Sequence, residues 1–174
     1  MDDINVLIVD DEEGMRESLG DILAEEGYKV TGAGTADTAA KELKKSFYNI
    51  VLLDLRLPDR SGLELLNTIK EAHEETMSIV MTGCASMESA VSALNKGAFA
   101  YIQKPFSMDE VLVYIKKALG MQRLARDNKI LLNRFKELSL KDHQTGLHNH
   151  RYLVERLEAE LARAKRHSLS LSLV

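Results

Sequence analysis

Five short apolar runs, separated by longer amphipathic segments, constrain the fold of this chain more than any other feature. Each run is too short for a buried helix and is rich in β-branched residues, so each is predicted to be a strand. The runs are residues 4–9, 28–33, 50–53, 79–81 and 99–102. Between them, apolar residues recur at helical spacing, as at Ala90, Val91 and Leu94, and Gly97 is placed to end that helix. This alternation predicts an α/β fold, in which right-handed crossovers build a parallel sheet covered on both faces.

Residues with special chemistry come at the end of four of these runs. They are Asp10 and Asp11, Asp54, Thr82, and the pair Lys104 and Pro105. An open parallel sheet binds ligands beyond the carboxyl ends of its strands, so these residues are expected to meet in one crevice.

The acidic members of this set indicate a particular chemistry. Neighbouring carboxylates repel one another unless a cation lies among them, and Mg²⁺ prefers such oxygen ligands together with a phosphate. A carboxylate can also act as a nucleophile and form an aspartyl phosphate. The pattern therefore predicts a magnesium site around a phosphorylatable aspartate, with Lys104 and Thr82 available to contact the phosphoryl oxygens.

These residues and their neighbours resemble the receiver domain of bacterial two-component response regulators, most closely the nitrogen-regulation type. The resemblance covers roughly residues 3–120 and rests on Val9–Glu12, Leu53–Pro58, Gly62, Met81–Gly83 and Gln103–Phe106. It implies a flavodoxin-like, doubly wound sheet of five parallel strands in the order 2-1-3-4-5, with an extended C-terminal helix. It also implies a cis peptide bond between Lys104 and Pro105.

The resemblance assigns roles to the acidic residues. Asp54 is implied to accept a phosphoryl group from the phosphohistidine of a sensor histidine kinase or a phosphotransfer protein. Asp11 would bind Mg²⁺ directly and Asp10 through water, while Asp54 and the backbone carbonyl of Arg56 would complete the ligand set. Taken alone, an aspartate at a strand end is more often a helix cap or a turn former.

Three further residues receive roles from the same resemblance. Thr82 and Lys104 are implied to hold the phosphoryl group. Tyr101 matches an aromatic switch position, whose ring turns inward when Thr82 moves. Without the resemblance, Tyr101 would be an ordinary half-buried aromatic residue.

A long helix is predicted to begin at Ser107, which forms a capping-box pattern with Glu110. No strong helix breaker follows before Leu138, so the helix would extend for about 48 Å at a rise of 1.5 Å per residue. Its second half carries a heptad seam with an asparagine at an a position: Met121, Leu124, Asn128, Leu131, Phe135 and Leu138. A buried asparagine at this position favours a parallel homodimer. The alternative is a single helix that packs on a neighbouring domain.

The last 36 residues resemble the opening segment of GGDEF domains, the diguanylate cyclases. The matching segment is residues 142–151, in which Gln144 and His150 depart from the family pattern. An amphipathic helix with Leu153, Leu157 and Leu161, and then a first strand at residues 169–174, are expected to follow.

Three regions follow from these observations: a receiver domain at 1–120, a helical linker at 121–139, and an incomplete GGDEF domain at 140–174. The metal aspartates and the GGDEF loop would lie beyond Val174, so this chain is expected to act as a phosphoacceptor and not as a cyclase. One helix and one strand cannot close a core, so the segment after about Leu140 is expected to be disordered, rearranged or held by a second chain.

The favoured function is a response regulator in which phosphorylation of Asp54 controls a diguanylate cyclase-type output through a dimeric linker. An alternative keeps the receiver but assigns it a catalytically inactive GGDEF domain, or another output that acts by protein interaction or transcription control. A different class is an aspartate-nucleophile phosphatase similar to haloacid dehalogenases. Such enzymes require a second acid two residues after the nucleophile, where this chain has Arg56. A flavin carrier is disfavoured because the acidic residues 10–13 would repel its phosphate.

Composition is that of an ordinary globular protein. The 174 residues carry a net charge of −4, which argues against a dedicated nucleic-acid surface. A single cysteine, Cys84, excludes an internal disulfide and suits a reducing cytoplasm. The sequence has no signal peptide and no apolar stretch long enough to span a bilayer, so a cytoplasmic protein without membrane contact is expected.

Overall fold

The five predicted strands form one parallel sheet in the order β2-β1-β3-β4-β5, which confirms the predicted fold and topology. The computed structural model describes residues 4–83, 86–139, 145, 147–167 and 169–172. The strands are β1 (Asn5–Val9), β2 (Lys29–Ala33), β3 (Ile50–Leu53), β4 (Met77–Thr82) and β5 (Ala100–Gln103). β4 begins two residues before the predicted run and includes Thr82 as its last residue.

Helices connect the strands and cover both faces of the sheet. They are α1 (Glu13–Glu25), α2 (Ala36–Lys45), α3 (Gly62–Ala72), α4 (Met87–Asn95) and α5 (Met108–Ser139), and α6 (His150–His167) follows. One face of the sheet buries apolar side chains of α2, α3 and α4 in a single cluster. The other face buries apolar side chains of α1 and of the first part of α5. Burial on both faces explains why every residue of β3 is apolar and inaccessible to solvent.

Local signals set several helix ends. The Ser107 hydroxyl accepts a hydrogen bond from the Glu110 amide at 3.2 Å, as the predicted capping pattern requires. Gly97 has a φ of 94°, a left-handed conformation that ends α4 as predicted. The predicted apolar face of α4 is wrong, however, because Ala93 is the residue buried in the core while Val91 and Leu94 are about half exposed.

The chain divides into two compact units, Met1–Arg123 and Leu124–Val174. The boundary falls inside α5, close to the predicted end of the receiver at residue 120. In the first unit, Gln122 links α5 to the loops that precede β3 and β4. Its side-chain amide donates to the carbonyl of Asn49 at 2.8 Å and to the carbonyl of Glu75 at 2.5 Å. Within the ranges that the structure describes, no helix combines the length and hydrophobicity needed to cross a bilayer.

The second unit contains the C-terminal part of α5 and the whole of α6. The predicted helix with Leu153, Leu157 and Leu161 is present as α6. The expectation that this segment is disordered, rearranged or held by a second chain stays a prediction. The predicted strand is absent from residues 169–172, the part of it that the structure describes. The Leu169 amide instead donates to the Ala164 carbonyl at 3.0 Å, a bond that caps the C-terminal end of α6. A lone strand here would lack a pairing partner. Residues 142–144 and 146 of the GGDEF-like segment lie outside the described residues.

Candidate functional site

The residues singled out after four of the strands meet at the carboxyl edge of the sheet. Hydrogen bonds between adjacent strand ends align them: the Asp54 amide donates to the Val9 carbonyl at 2.8 Å, and the Lys104 amide donates to the Thr82 carbonyl at 2.9 Å. The sheet ladder therefore continues one residue beyond the strands and fixes where each functional side chain begins.

The three predicted carboxylates lie together. Asp10, Asp11 and Asp54 each place one carboxylate oxygen within 4.8 Å of the others. Asp10 is fully buried and Asp54 is 6% exposed, whereas Asp11 is exposed. Two buried carboxylates this close are costly unless positive charge compensates them.

Lys104 supplies that charge. Its Nζ atom lies 2.6 Å from Asp10 Oδ2 and 2.7 Å from Asp54 Oδ2. Burial lowers the pKa of the Lys104 ammonium group, but its hydrogen bonds and Coulomb attraction to Asp10 and Asp54 outweigh burial and raise the pKa overall. Lys104 therefore stays protonated at neutral pH and bridges the two buried carboxylates.

The second oxygen of each buried carboxylate is held by the main chain of its own loop. The Glu12 amide donates to Asp10 Oδ1 at 3.0 Å, and the Arg56 amide donates to Asp54 Oδ1 at 3.0 Å. The Arg56 side chain is exposed. Arg56 thus contacts Asp54 through its N–H, while the predicted role of its carbonyl as a metal ligand remains a prediction.

Gly62 allows the loop after β3 to fold tightly against the phosphoacceptor candidate. A Cβ atom on Gly62 would lie 2.8 Å from Leu55 Cα and even closer to the carbonyl oxygen of Asp54, well inside van der Waals contact. The Gly62 amide donates to the Leu55 carbonyl at 2.9 Å, so the approach is part of the loop's own hydrogen bonding. Only glycine fits at this position without moving Asp54.

Thr82 and Tyr101 lie on the same face of the sheet. Thr82 is fully buried at the end of β4, and Tyr101 on β5 is in register with Val80, two residues before Thr82. Side chains alternate along a strand, so Val80, Thr82 and Tyr101 share one face. The Tyr101 hydroxyl is hydrogen-bonded to Ser89 Oγ at 3.0 Å, in the first turn of α4.

Two side-chain contacts around the site, made by Arg16 and Asp59, were not predicted from the sequence; Asp59 lies outside the carboxylate cluster. Arg16 Nη1 donates to the Asp10 carbonyl at 2.8 Å, and its side chain lies along Gly32 and Gly34, whose lack of side chains leaves it room. The Asp59 carboxylate accepts hydrogen bonds from the first two amides of α2, at 3.0 Å and 2.9 Å. Their signals in the sequence are weak, since an arginine one turn into a helix and an aspartate in a loop are common.

The donor set fits a divalent magnesium ion. Carboxylate oxygens are the ligands that Mg²⁺ prefers, and it is commonly held by one or two carboxylates together with a phosphate. Asp10, Asp11 and Asp54 would hold the ion, since each can offer one carboxylate oxygen to it; their individual roles as metal ligands stay a prediction. The cis peptide bond predicted at Lys104-Pro105 is also present.

Comparisons with known proteins agree with this geometry. The chain matches the response regulator receiver domain family over residues 6–116. It is 34% identical over 157 residues to the transcriptional regulatory protein DltR of Streptococcus agalactiae, covering 87% of this chain and 70% of that protein. It is 38% identical over 125 residues to the nitrogen assimilation regulatory protein NtrX of Azorhizobium caulinodans, covering 71% of this chain but only 28% of that protein.

A solved structure supports the same assignment. The receiver domain dimer of beryllofluoride-activated NtrC4 is 41% identical, has a TM-score of 0.65, and covers 68% of this chain and 98% of that chain. The family match ends within α5, and DltR and NtrX are named as regulatory proteins rather than as cyclases. The chain belongs to the response regulator receiver family, as its fold, its cluster of acidic residues and the family match together show. Members of this family are phosphorylation-dependent parts of two-component systems.

Proposed function

We propose that Asp54 is the phosphoacceptor of this receiver and takes its phosphoryl group from a phosphohistidine of a sensor histidine kinase or phosphotransfer protein. The observation that supports this most strongly is the placement of Asp54. Its carboxylate lies at the carboxyl edge of the sheet, among two other carboxylates, with one oxygen on Lys104 and the other on the Arg56 amide.

The chain's own residues account for the transfer. An Asp54 oxygen attacks phosphorus, the bond between phosphorus and the histidine nitrogen breaks, and the imidazole leaves with the electron pair. Lys104 and the Thr82 hydroxyl stabilise the phosphoryl oxygens as charge develops on them. Bound Mg²⁺ would neutralise negative charge on the incoming phosphoryl group and on the carboxylates.

The switch would begin at Thr82 and pass to Tyr101. If Thr82 moves toward the phosphoryl group, it vacates space on the face of the sheet that Tyr101 shares. The inward rotation of Tyr101 then alters the surface formed by α4, β5 and α5. Such a change requires phosphorylation to favour one of two states by only a few kcal/mol.

The linker supports a dimeric output mechanism. Four of the predicted seam residues are more than half exposed, namely Met121, Leu124, Leu131 and Phe135. Asn128 lies among them and is also exposed. The side chain of Leu138 lies outside the described residues. An exposed apolar seam of this spacing on one helix is suited to a parallel pairing of two copies, and the NtrC4 receiver was solved as a dimer.

We infer that two outputs are candidates for this protein. The segment at 142–151 favours a diguanylate cyclase-type output, and the names of DltR and NtrX favour transcription control. The discriminating experiment supplies the purified full-length protein with acetyl phosphate, Mg²⁺ and GTP. Formation of cyclic di-GMP supports the cyclase-type output, whereas its absence together with binding to promoter DNA supports the transcriptional one.

Phosphoacceptor chemistry is tested by incubation with Mg²⁺ and acetyl phosphate, followed by intact mass measurement. The wild-type chain should gain one phosphoryl group, and Asp54→Asn should gain none. Asp59→Asn is a matched control, because Asp59 lies in the same loop but outside the carboxylate cluster. Equal phosphorylation of wild type and Asp54→Asn would refute the assignment.

A further inference from the structure

We propose that Ser89 is a positioning residue that holds Tyr101 against α4 and thereby favours the unphosphorylated state of the receiver. This inference rests on the proposed role of Tyr101 as the switch and adds a residue that controls it. The observation behind it is the hydrogen bond between the Tyr101 hydroxyl and Ser89 Oγ, at 3.0 Å and partly buried.

Ser89 has more partners than one hydroxyl group can satisfy at the same time. Ser89 Oγ lies 2.9 Å from the Ser86 carbonyl, to which it donates, and 3.1 Å from the Ser86 amide, from which it accepts. The Ser86 hydroxyl at 3.1 Å and the Tyr101 hydroxyl at 3.0 Å also contact it. A hydroxyl offers one donor and two acceptor positions, so Tyr101 and the Ser86 hydroxyl compete for the last of them.

The partner of the single Ser89 proton determines which hydroxyl donates in the hydrogen bond between Tyr101 and Ser89. The single Ser89 proton is used on the Ser86 carbonyl, so the Tyr101 hydroxyl must donate to Ser89. When Tyr101 leaves, the Ser86 hydroxyl can take its place, and Ser89 is not left with an unsatisfied polar atom. The contact can therefore hold the tyrosine and still be released at small cost.

The hydrogen bond between Ser89 and Tyr101 is placed so that a movement at the phosphorylation site would break it. Tyr101 lies on the face that it shares with Thr82, and Ser89 lies in the first turn of α4, whose Ala93 packs in the core cluster of the same face. Rotation of Tyr101 toward Thr82 takes its hydroxyl away from Ser89. The first turn of α4 then loses its hydrogen bond to β5.

Removal of the Ser89 hydroxyl should shift the balance of states toward the phosphorylated-like one. One hydrogen bond of this kind is expected to change the equilibrium about fivefold. Ser89→Ala removes the bond, and Ser89→Thr restores a hydroxyl at the same place. Ser86→Ala is the matched control, since it removes the other half of the α4 cap and leaves the Ser89 hydroxyl for Tyr101.

The orientation of Tyr101 is measured by ¹⁹F NMR on the full chain labelled with 3-fluorotyrosine. The chain has five tyrosines, and the loss of one resonance in Tyr101→Phe assigns the signal of interest. Wild type is recorded without and with Mg²⁺ and acetyl phosphate, which defines the two end states. Circular dichroism and thermal melts show whether each variant is folded.

The proposal is supported if unphosphorylated Ser89→Ala moves toward the phosphorylated position by about fivefold in population, while Ser89→Thr stays near wild type. Ser86→Ala should stay near wild type or move away from the phosphorylated position, because it removes the hydroxyl that competes with Tyr101 for Ser89 Oγ. It is overturned if Ser89→Ala matches wild type, or if Ser86→Ala produces the same shift through loss of the cap alone. If the wild-type resonance does not move on phosphorylation although the mass gain is present, the Tyr101 switch itself is wrong, and the role of Ser89 with it.

Discussion

Replacement of Lys104 by methionine should show how much of the protein's stability depends on the ammonium group that bridges Asp10 and Asp54. Lys104 lies 2.6 Å from Asp10 and 2.7 Å from Asp54, and its side chain is 16% exposed. Removal of one partner from a buried ion pair costs about 3–5 kcal/mol. One edge of this site is open to water, so we expect a loss of about 3 kcal/mol in the free energy of unfolding when no divalent ion is present.

Mg²⁺ should restore much of that loss, because a cation among the carboxylates replaces the missing ammonium charge. An ion present at one hundred times its dissociation constant stabilises the folded state by about 2.7 kcal/mol. The variant should bind Mg²⁺ more tightly than wild type and therefore gain more stability from the same concentration. Urea unfolding of both proteins in EDTA and in saturating Mg²⁺ measures these four values.

The control is Lys116→Met, in which an exposed lysine 3.9 Å from Glu26 is removed instead. A surface pair of this kind is worth about 0–1 kcal/mol, so little change is expected in either buffer. If Lys104→Met were as stable as wild type in EDTA, or gained no more than wild type from Mg²⁺, the electrostatic account of the site would be refuted.

Three further predictions concern other parts of the molecule. Gly62→Ala should lose about 1–3 kcal/mol of stability and slow phosphorylation, because its methyl group would collide with the main chain of Asp54; urea unfolding and mass measurement check this. Asp59→Asn should reduce stability at neutral pH. Desolvation raises the pKa of the Asp59 carboxyl group, but hydrogen bonds from the α2 amides outweigh it and lower the pKa below its usual 3.8. Its stabilising contribution is therefore present above pH 3.8 and lost as the pH falls through the lowered value, so melts of the variant and wild type should converge in acid. Leu131→Glu should convert a dimer to a monomer in light scattering, because Leu131 lies on the exposed apolar seam.

Two of these predictions have a matched control variant, and the third is checked by its pH dependence. Gly120→Ala adds the same methyl group where nothing lies within 4 Å, and it should stabilise α5 by up to about 1 kcal/mol. Equal losses at both glycines would contradict the close-packing explanation. A pH-independent difference for Asp59→Asn would contradict the assigned cause. Lys129→Glu changes charge on the same helix outside the seam, so an equal loss of dimer there would point to net charge instead.

Most of the fold could be predicted because its signals are local. Double burial makes β3 and most of β1 uninterrupted apolar runs, and the acidic residues and Lys104 follow the ends of their strands directly. The convergence of Asp10 and Asp54 then follows from the parallel topology alone. The first residues of β4 were missed because Ser78 is polar, although the structure buries it within the sheet.

Other features depend on contacts that no local pattern contains. The spacing of apolar residues on α4 predicted a buried face that includes Val91 and Leu94. In the structure, Ala93 packs in the core and Val91 and Leu94 are exposed. The link from Ser89 to Tyr101 joins two elements and leaves no periodic signal. A strand at 169–174 was predicted from apolar composition, yet a strand also needs a neighbour, and composition does not supply one.

The bridging role of Lys104 has a consequence for which ions this pocket retains. Three carboxylates and one ammonium group leave two negative charges in excess. A monovalent ion such as sodium or potassium removes only half of that excess, whereas a divalent ion removes all of it. If the pocket holds a cation as proposed, the charge balance of these four side chains would favour a divalent ion over sodium or potassium, in addition to any effect of ligand number or ionic radius.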